Sequence, residues 1–177
     1  MTEPTLECAA CRRPKGQHEC PLCQDHFCRN CVRFRVDSDF EFAHAVQENL
    51  SHSKVCMRCF DEQIAPELSR YEETLERAKQ VIIITSAYRG HTPVTKKALT
   101  PVVVENCHDR DETILRLAYQ AADQGFNGLI QTEVTAKKIR NHGHQKSEWN
   151  GRGLPAQLDE NKLRLDEMRE EVWRSGN

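Results

Sequence analysis

The 177-residue chain has no long hydrophobic run, and aromatic residues make up only 6% of it. No stretch of about 18 consecutive apolar residues occurs, so the sequence predicts no transmembrane helix. The first residues, Met1-Thr2-Glu3-Pro4, have neither the basic start nor the apolar stretch of a secretory signal. We therefore expect a cytoplasmic protein, and 38% apolar with 29% charged residues is typical of a globular chain.

The sequence also has no marked excess of charge of either sign. Its 25 Lys and Arg against 27 Asp and Glu give a net charge of -2 and a pI near 6.4. The whole-molecule field thus gives no reason to expect a nucleic-acid partner or an anionic membrane. Nine cysteines without a secretion signal indicate metal or redox chemistry, because cytosolic reductants keep thiols free.

Eight of these cysteines form four Cys-x-x-Cys pairs, separated by gaps of eight, four and twenty-four residues. A Cys-x-x-Cys turn brings two thiolates to one side of a loop, and two turns complete the tetrahedral shell that Zn²⁺ prefers. The pattern predicts two Zn²⁺ per chain, and a rubredoxin-like iron site or an iron–sulfur cluster is the alternative.

Spacing alone does not fix how the pairs combine. Four residues between the second and third pairs are too few for these neighbours to share one ion comfortably, which favours an interleaved arrangement. Zinc 1 would then be bound by Cys8, Cys11, Cys28 and Cys31, and zinc 2 by Cys20, Cys23, Cys56 and Cys59. Each ion would connect two distant segments and supply stability that about 60 residues cannot obtain from apolar burial.

Residues 8–62 resemble the FYVE zinc finger, a relative of the RING cross-brace. The motifs that carry this resemblance are Cys20-Pro-Leu-Cys23-Gln-Asp-His-Phe27-Cys28-Arg-Asn-Cys31 and Val55-Cys56-Met-Arg-Cys59-Phe60. The resemblance implies interleaved zinc sites and a phosphatidylinositol 3-phosphate ligand on membranes. The family's upstream Trp motif and its Arg- and His-rich motif are missing. Lipid or partner contact would fall to Arg12, Arg13, Lys15 and His18.

Charge argues against the lipid ligand. Residues 1–63 contain eight Lys and Arg, ten Asp and Glu, and eight ligand thiolates, so two Zn²⁺ leave the finger with a net charge of -6. Anionic headgroups repel such a surface. We therefore expect a protein partner of unknown identity. A RING ubiquitin ligase is a further alternative, although RING fingers normally have Cys-x-His where this chain has Cys20-x-x-Cys23.

A linker helix is predicted over residues 63–80. Its apolar residues recur at steps of four and three, which indicates a seam that packs on a neighbour or forms an oligomer contact: Ile64, Leu68, Tyr71, Leu75 and Ala78. Ser38 is predicted to cap another short helix, with Phe42, Val46 and Leu50 on its apolar face.

A compact α+β domain is predicted for residues 81–156. Short β-branched runs at 81–85, 101–105 and 129–134 indicate strands, and a helix opens at Asp111 and ends before Gly125. The loop between the first two strands contains Gly90 and Pro93. A last helix is predicted over residues 157–173, within a C-terminal segment 157–177.

Residues 80–156 resemble the YbjQ-like family, also called a heavy-metal-binding domain. The resemblance rests on the small-residue stretch 121–130 and on Trp149-x-Gly151-x-Gly153-x-Pro155. It implies a compact α+β fold that assembles into rings. A homo-oligomer of this kind would array several fingers side by side, and weak sites linked in this way gain affinity for multivalent targets.

No catalytic group stands out. Cys107-His108-Asp109 are adjacent on a predicted strand end, so their side chains point in different directions and cannot form a triad. His142 and His144 could join Cys107 or His108 in a third metal site, but a polar surface loop is the favoured interpretation. Gly151-x-Gly153 is expected to be a turn. The sequence thus predicts a non-catalytic adaptor: a zinc-stabilised cross-brace finger, a linker helix and a compact α+β domain.

Overall fold

The computed structural model describes residues 6–35, 40–43, 50–141 and 144–163. Its internal contacts divide the chain into two units, Met1–Glu73 and Thr74–Asn177. The division falls inside the connecting helix, whereas the sequence places domain boundaries after residues 62 and 80. Each unit is described by itself below.

The first unit contains two short antiparallel hairpins followed by helix. Strands β1 (His18–Glu19) and β2 (His26–Phe27) pair with each other, as do β3 (Val32–Phe34) and β4 (Lys54–Cys56). A 3₁₀ turn, Arg29–Cys31, precedes β3. After β4 the chain continues through the turn α1 (Met57–Cys59), a π-helical turn (Phe60–Ile64) and helix α2 (Ala65–Ala78).

The predicted seam of the connecting helix is the side that loses solvent contact. Of its five residues, Ile64, Tyr71 and Ala78 are buried and Leu68 and Leu75 are half-buried, and the neighbouring Thr74 is also buried. The Tyr71 ring packs edge-on against Phe40 with 5.3 Å between centroids, and its hydroxyl accepts a hydrogen bond from the Phe42 backbone at 3.2 Å. The first turns of α2 therefore contribute to the core of the finger unit. The predicted helix after Ser38 lies mostly outside the described residues.

The second unit is a five-stranded sheet with one helix on it. The strands are β5 (Ile82–Thr85), β6 (Val94–Lys97), β7 (Val102–Cys107), β8 (Gly128–Asn141) and β9 (His144–Leu158). The sheet order is β5-β8-β9-β6, and β7 also pairs with β9. Strand β5 runs parallel to β8, and the other pairs are antiparallel. Helix α3 (Arg110–Asp123) packs on β7, β8 and β9.

Four sequence predictions for this unit were wrong. Strand β6 occupies the predicted loop, and β8 extends to Asn141 rather than ending near residue 134. Gly151 and Gly153 lie within β9 instead of in a turn. Leu158 ends β9, so residue 157 does not begin a helix; helical backbone starts at residue 160, and the rest of that predicted helix lies outside the described residues.

Close packing explains the glycine in the middle of β9. A Cβ atom at Gly151 would lie 2.6 Å from Thr113 Cγ2 and 2.8 Å from Leu117 Cδ1, both on α3. At Gly153 the nearest atom would be 3.1 Å away. The absent side chain at Gly151 thus lets the helix lie directly on the central strand.

Two side chains, those of Asp109 and Glu112, cap the N-terminus of α3. The Asp109 carboxylate accepts a hydrogen bond from the Glu112 N–H at 2.8 Å, and the Glu112 carboxylate accepts from the His108 N–H at 2.7 Å and from Arg116 Nε at 2.8 Å. Burial alone would raise the pKa of Glu112, but these donors outweigh it and lower that pKa below its ordinary value. At the other end, Gly125 adopts φ 80°, which terminates the helix.

Within the described ranges, none of the helices has the length and apolar character needed to traverse a bilayer.

Candidate metal centres

Two loops of the same geometry carry the first and second Cys-x-x-Cys pairs. They span residues 8–13 and 20–25. In each loop the first residue donates a backbone hydrogen bond to the carbonyl of the sixth at 2.9 Å, and the fifth donates to the carbonyl of the first at 2.9 or 2.8 Å. The fifth residues, Arg12 and Gln24, have φ of 59° and 61°, which closes each loop tightly. Each loop presents two thiols on one side.

The third and fourth pairs instead begin short helical turns. Cys28 and Cys56 precede these turns with extended backbone, at φ/ψ of -76°/162° and -70°/157°. In the second turn the Cys59 N–H donates to Cys56 Sγ at 3.4 Å. The N-terminal end of a helical turn favours a thiolate, because unpaired N–H groups point toward it. Each candidate centre therefore combines one loop with one helical turn.

The two hairpins connect the centres to each other. Strand β1 leads into Cys20 of one centre, while its partner β2 leads into Cys28 of the other. In the second hairpin Val32, which follows Cys31, pairs with Cys56. This alternation along the chain is the cross-brace. Because the two strands of each hairpin lead to different centres, displacement of one centre moves strands that are hydrogen-bonded to strands of the other.

The structure assembles two groups of four cysteines, and in each group all sulfur atoms lie within 4.8 Å of one another. They are Cys8, Cys11, Cys28 and Cys31, and Cys20, Cys23, Cys56 and Cys59. The Cys11–Cys28 and Cys23–Cys56 sulfur separations are 3.7 and 3.9 Å. Tetrahedral zinc with bonds of about 2.3 Å requires sulfur separations of about 3.8 Å. Each group can hold one zinc ion, which confirms two Zn²⁺ per chain.

The thiols of each group differ in how readily they ionise. Backbone N–H groups, foremost that of Cys11, lower the pKa of Cys8 to about 6. The hydrogen bond with Cys28, together with burial, raises the pKa of Cys31 to about 12. At Cys20 burial raises the pKa, but N–H donors outweigh it and bring it to about 7. One thiolate therefore forms readily in each group, and zinc binding must displace the protons that remain on the other thiols.

The two centres differ in exposure. In the first group Cys11 is exposed and Cys31 is half-buried, whereas in the second only Cys23 is not fully buried. The second group also has a cation beside it, since negative charge on Cys23 raises the pKa of the neighbouring Arg58 guanidinium. The first centre is therefore the more accessible to chelators and alkylating reagents.

The remaining predicted contact residues lie on the surface of the finger. Arg12, Arg13 and Lys15 are exposed, and His18 is half-buried. The His18 ring packs edge-on against Phe34, with 5.7 Å between ring centroids. Phe34 is 56% exposed, and the sequence analysis did not single it out. By contrast, Phe27 on β2 and Phe60 at the start of the π-helical turn are each 5% exposed.

Cys107 belongs to neither group among the residues that the structure describes. It is 2% exposed, while the adjacent His108 is 77% exposed and contacts Glu112. The two side chains thus point in different directions. His142 lies outside the described residues, as does the His144 side chain.

No family model matches this chain, and neither a curated protein nor a solved structure does. The FYVE-like and YbjQ-like interpretations therefore depend on the motifs alone.

Proposed function

We propose that this chain is a non-catalytic, zinc-binding adaptor whose FYVE-like finger recognises a protein partner. Four cysteines surround each candidate zinc position, which leaves no open coordination site. Catalytic zinc keeps one position for water or substrate, whereas structural zinc is closed. In this proposal the zinc ions therefore stabilise the fold of a binding surface and take no part in a reaction.

The observation that carries the proposal is the exposed aromatic ring of Phe34 on β3. Zinc ligands lie beside both strands of its hairpin, because Cys31 precedes β3 and Cys56 ends β4. His18 packs against the edge of the ring, so its orientation is restricted before any partner binds. Aromatic residues, Phe among them, are enriched at protein interfaces, and a ring that is already held in one orientation loses less conformational entropy on binding.

The charge of the finger supports a protein partner over a membrane. The exposed cations Arg12, Arg13 and Lys15 lie on a finger whose net charge with two zinc ions is -6. Local attraction of about 1 kcal/mol per basic residue is offset by the surrounding negative charge. A cytoplasmic location completes the proposal, because reducing conditions there keep the ligand thiols available for zinc.

Affinity purification with two matched variants tests the proposal. Phe34→Ser removes the aromatic ring, and Val103→Ser removes a 48% exposed apolar side chain from the second unit. We expect specific proteins to be recovered with the wild type and with Val103→Ser, and to be lost with Phe34→Ser at unchanged zinc content. Equal recovery with all three proteins would contradict the proposal.

Two further assays separate the alternatives. Flotation with vesicles containing phosphatidylinositol 3-phosphate, lost on replacing Arg12, Arg13 and His18, would assign the finger to lipid binding instead. Ubiquitin transfer in a reconstituted assay would assign it to the RING class. We expect neither result.

Ring assembly through the YbjQ-like domain is the second part of the proposal. Several fingers in one ring would raise the effective concentration of each finger at a multivalent target, so a weak contact would give a higher overall affinity. Sedimentation equilibrium tests it directly. An oligomer of defined size supports the array, and a monomer at micromolar concentration removes it without affecting the finger.

A further inference from the structure

The end of the β8–β9 hairpin is a two-stranded ribbon without further strand partners among the described residues. Pairing of β8 with β5 ends at Thr132, and pairing of β9 with β7 ends at Trp149. Beyond these positions residues 137–141 and 144–148 pair only with one another. We refer to residues 137–141 and 144–148 as the ribbon. With about 3.4 Å per residue, its five-residue strands extend roughly 17 Å.

The ribbon is strongly basic, although the whole chain is slightly acidic. It contains four cations, Lys137, Lys138, Arg140 and Lys146, and a single carboxylate, Glu148. This composition gives the ribbon a charge of +3 and leaves the remainder of the chain at -5. The three lysine side chains are exposed. The net charge of the whole chain hides this separation, because the acidic remainder more than offsets the ribbon.

Cations occupy both faces of the ribbon. Lys137 pairs with Glu148, and Ile139 pairs with Lys146, so alternation along the strands places Lys137 and Lys146 on one face. Lys138 pairs with Ser147 and lies on the opposite face. A ligand that presents negative charge to both faces at once satisfies all three lysines. An acidic peptide lying along one face would leave cations on the other face unpaired.

We propose that the ribbon binds duplex DNA by entering the major groove edge-first, so that each of its faces turns toward the phosphates of one groove wall. The major groove of B-form DNA, about 12 Å wide, admits a two-stranded β-ribbon. The major groove of an RNA duplex is too narrow to admit one. Single strands are bound mainly by aromatic stacking, and residues 137–148 contain no Phe, Tyr or Trp. This role goes beyond the proposed protein recognition and is independent of the finger.

Fluorescence anisotropy with a labelled 20-base-pair DNA duplex and the full zinc-loaded chain tests the proposal. Because each neutralised phosphate contributes about -0.9 to the slope of log K against log salt, four cations give a slope near -3.6. Between 50 and 200 mM salt the affinity should fall about 150-fold. The triple variant Lys137→Glu, Lys138→Glu, Lys146→Glu should lower the magnitude of the slope by about three and weaken binding at least tenfold.

A second triple variant controls for net charge. Arg89→Glu, Lys96→Glu and Lys97→Glu make the same charge change in the same unit, at exposed positions outside the ribbon. This control should keep the wild-type salt slope and lose less than about threefold in affinity. Equal weakening by both triple variants would overturn the ribbon as the site, and so would absence of binding at 50 mM salt.

Competition identifies the ligand class. Unlabelled duplex DNA and poly-glutamate are compared as competitors at equal concentrations of negative charge. We expect DNA to displace the probe at a charge concentration at least tenfold lower than poly-glutamate requires. Displacement by poly-glutamate at equal charge concentration would overturn the groove assignment in favour of an acidic protein partner. Preferential displacement by single-stranded DNA would overturn the argument from the missing aromatic residues.

Discussion

Removal of zinc should unfold the finger while the second unit stays folded. A domain of about 60 residues has a stability of roughly 3–9 kcal/mol when it is judged by size. Structural zinc contributes about 10–16 kcal/mol in small fingers near pH 7. The sulfur separations of 3.7 and 3.9 Å already match tetrahedral zinc, so little of that free energy is spent on rearranging the protein. The binding free energy lost with either zinc ion therefore exceeds the free energy of unfolding of the finger.

Hydrogen exchange with mass spectrometry, before and after EDTA, measures this directly. Peptides from residues 8–60 should lose their protection in parallel with release of two zinc ions per chain, counted with a chromophoric chelator. Peptides from residues 82–158 should keep theirs. Both tryptophans, Trp149 and Trp173, lie outside the finger, so intrinsic fluorescence should remain unchanged and serves as an internal control.

Retained protection in residues 8–60 after complete zinc removal would refute the reasoning. It would mean that apolar burial around residues such as Val55 and Ile64 is sufficient by itself. Release of one zinc ion per chain, or of none, would refute the assignment of the two cysteine groups.

Three further predictions concern local features. In the zinc-loaded protein, iodoacetamide should modify Cys11 at least tenfold faster than the buried Cys8, as read by peptide mass spectrometry, because only the former thiol is exposed. Glu112→Gln should destabilise the second unit by about 1–3 kcal/mol at pH 7, measured by urea denaturation followed by tryptophan fluorescence. Gly151→Ala should cost about 1–3 kcal/mol in the same assay, and more than Gly153→Ala, because its Cβ would meet α3 at 2.6 Å.

The Glu112 prediction has a defined pH dependence. Its folded-state pKa lies below the unfolded value, so the stabilisation is fully present above the unfolded pKa and is lost as pH falls through the folded pKa. The difference between wild type and Glu112→Gln should therefore shrink below about pH 4.5, near the ordinary glutamate pKa. A difference that stays constant with pH would contradict this origin. Equal alkylation of Cys8 and Cys11, or equal stability of the two alanine variants, would contradict the other two predictions.

The zinc centres could be predicted from the sequence because their determinants are local. A Cys-x-x-Cys turn places its two sulfur atoms within a few residues of chain, and the short gap between the second and third pairs by itself favours interleaving. Helix α3 can also be predicted from the sequence, since its apolar spacing, its acidic first turn and Gly125 all lie within one segment. The exposure of Phe34 was not readable, because a three-residue strand gives no reliable periodicity.

By itself, the sequence determined the ligand chemistry, the count of two zinc ions, the seam of the connecting helix, and the strands rich in β-branched residues. Only the tertiary structure decided the sheet. Strand β6 carries two lysines and β9 carries two glycines, so neither resembles a strand locally; pairing with neighbours distant in sequence makes them strands. Local propensity cannot report such contacts, because their free energy comes from residues that meet only after folding.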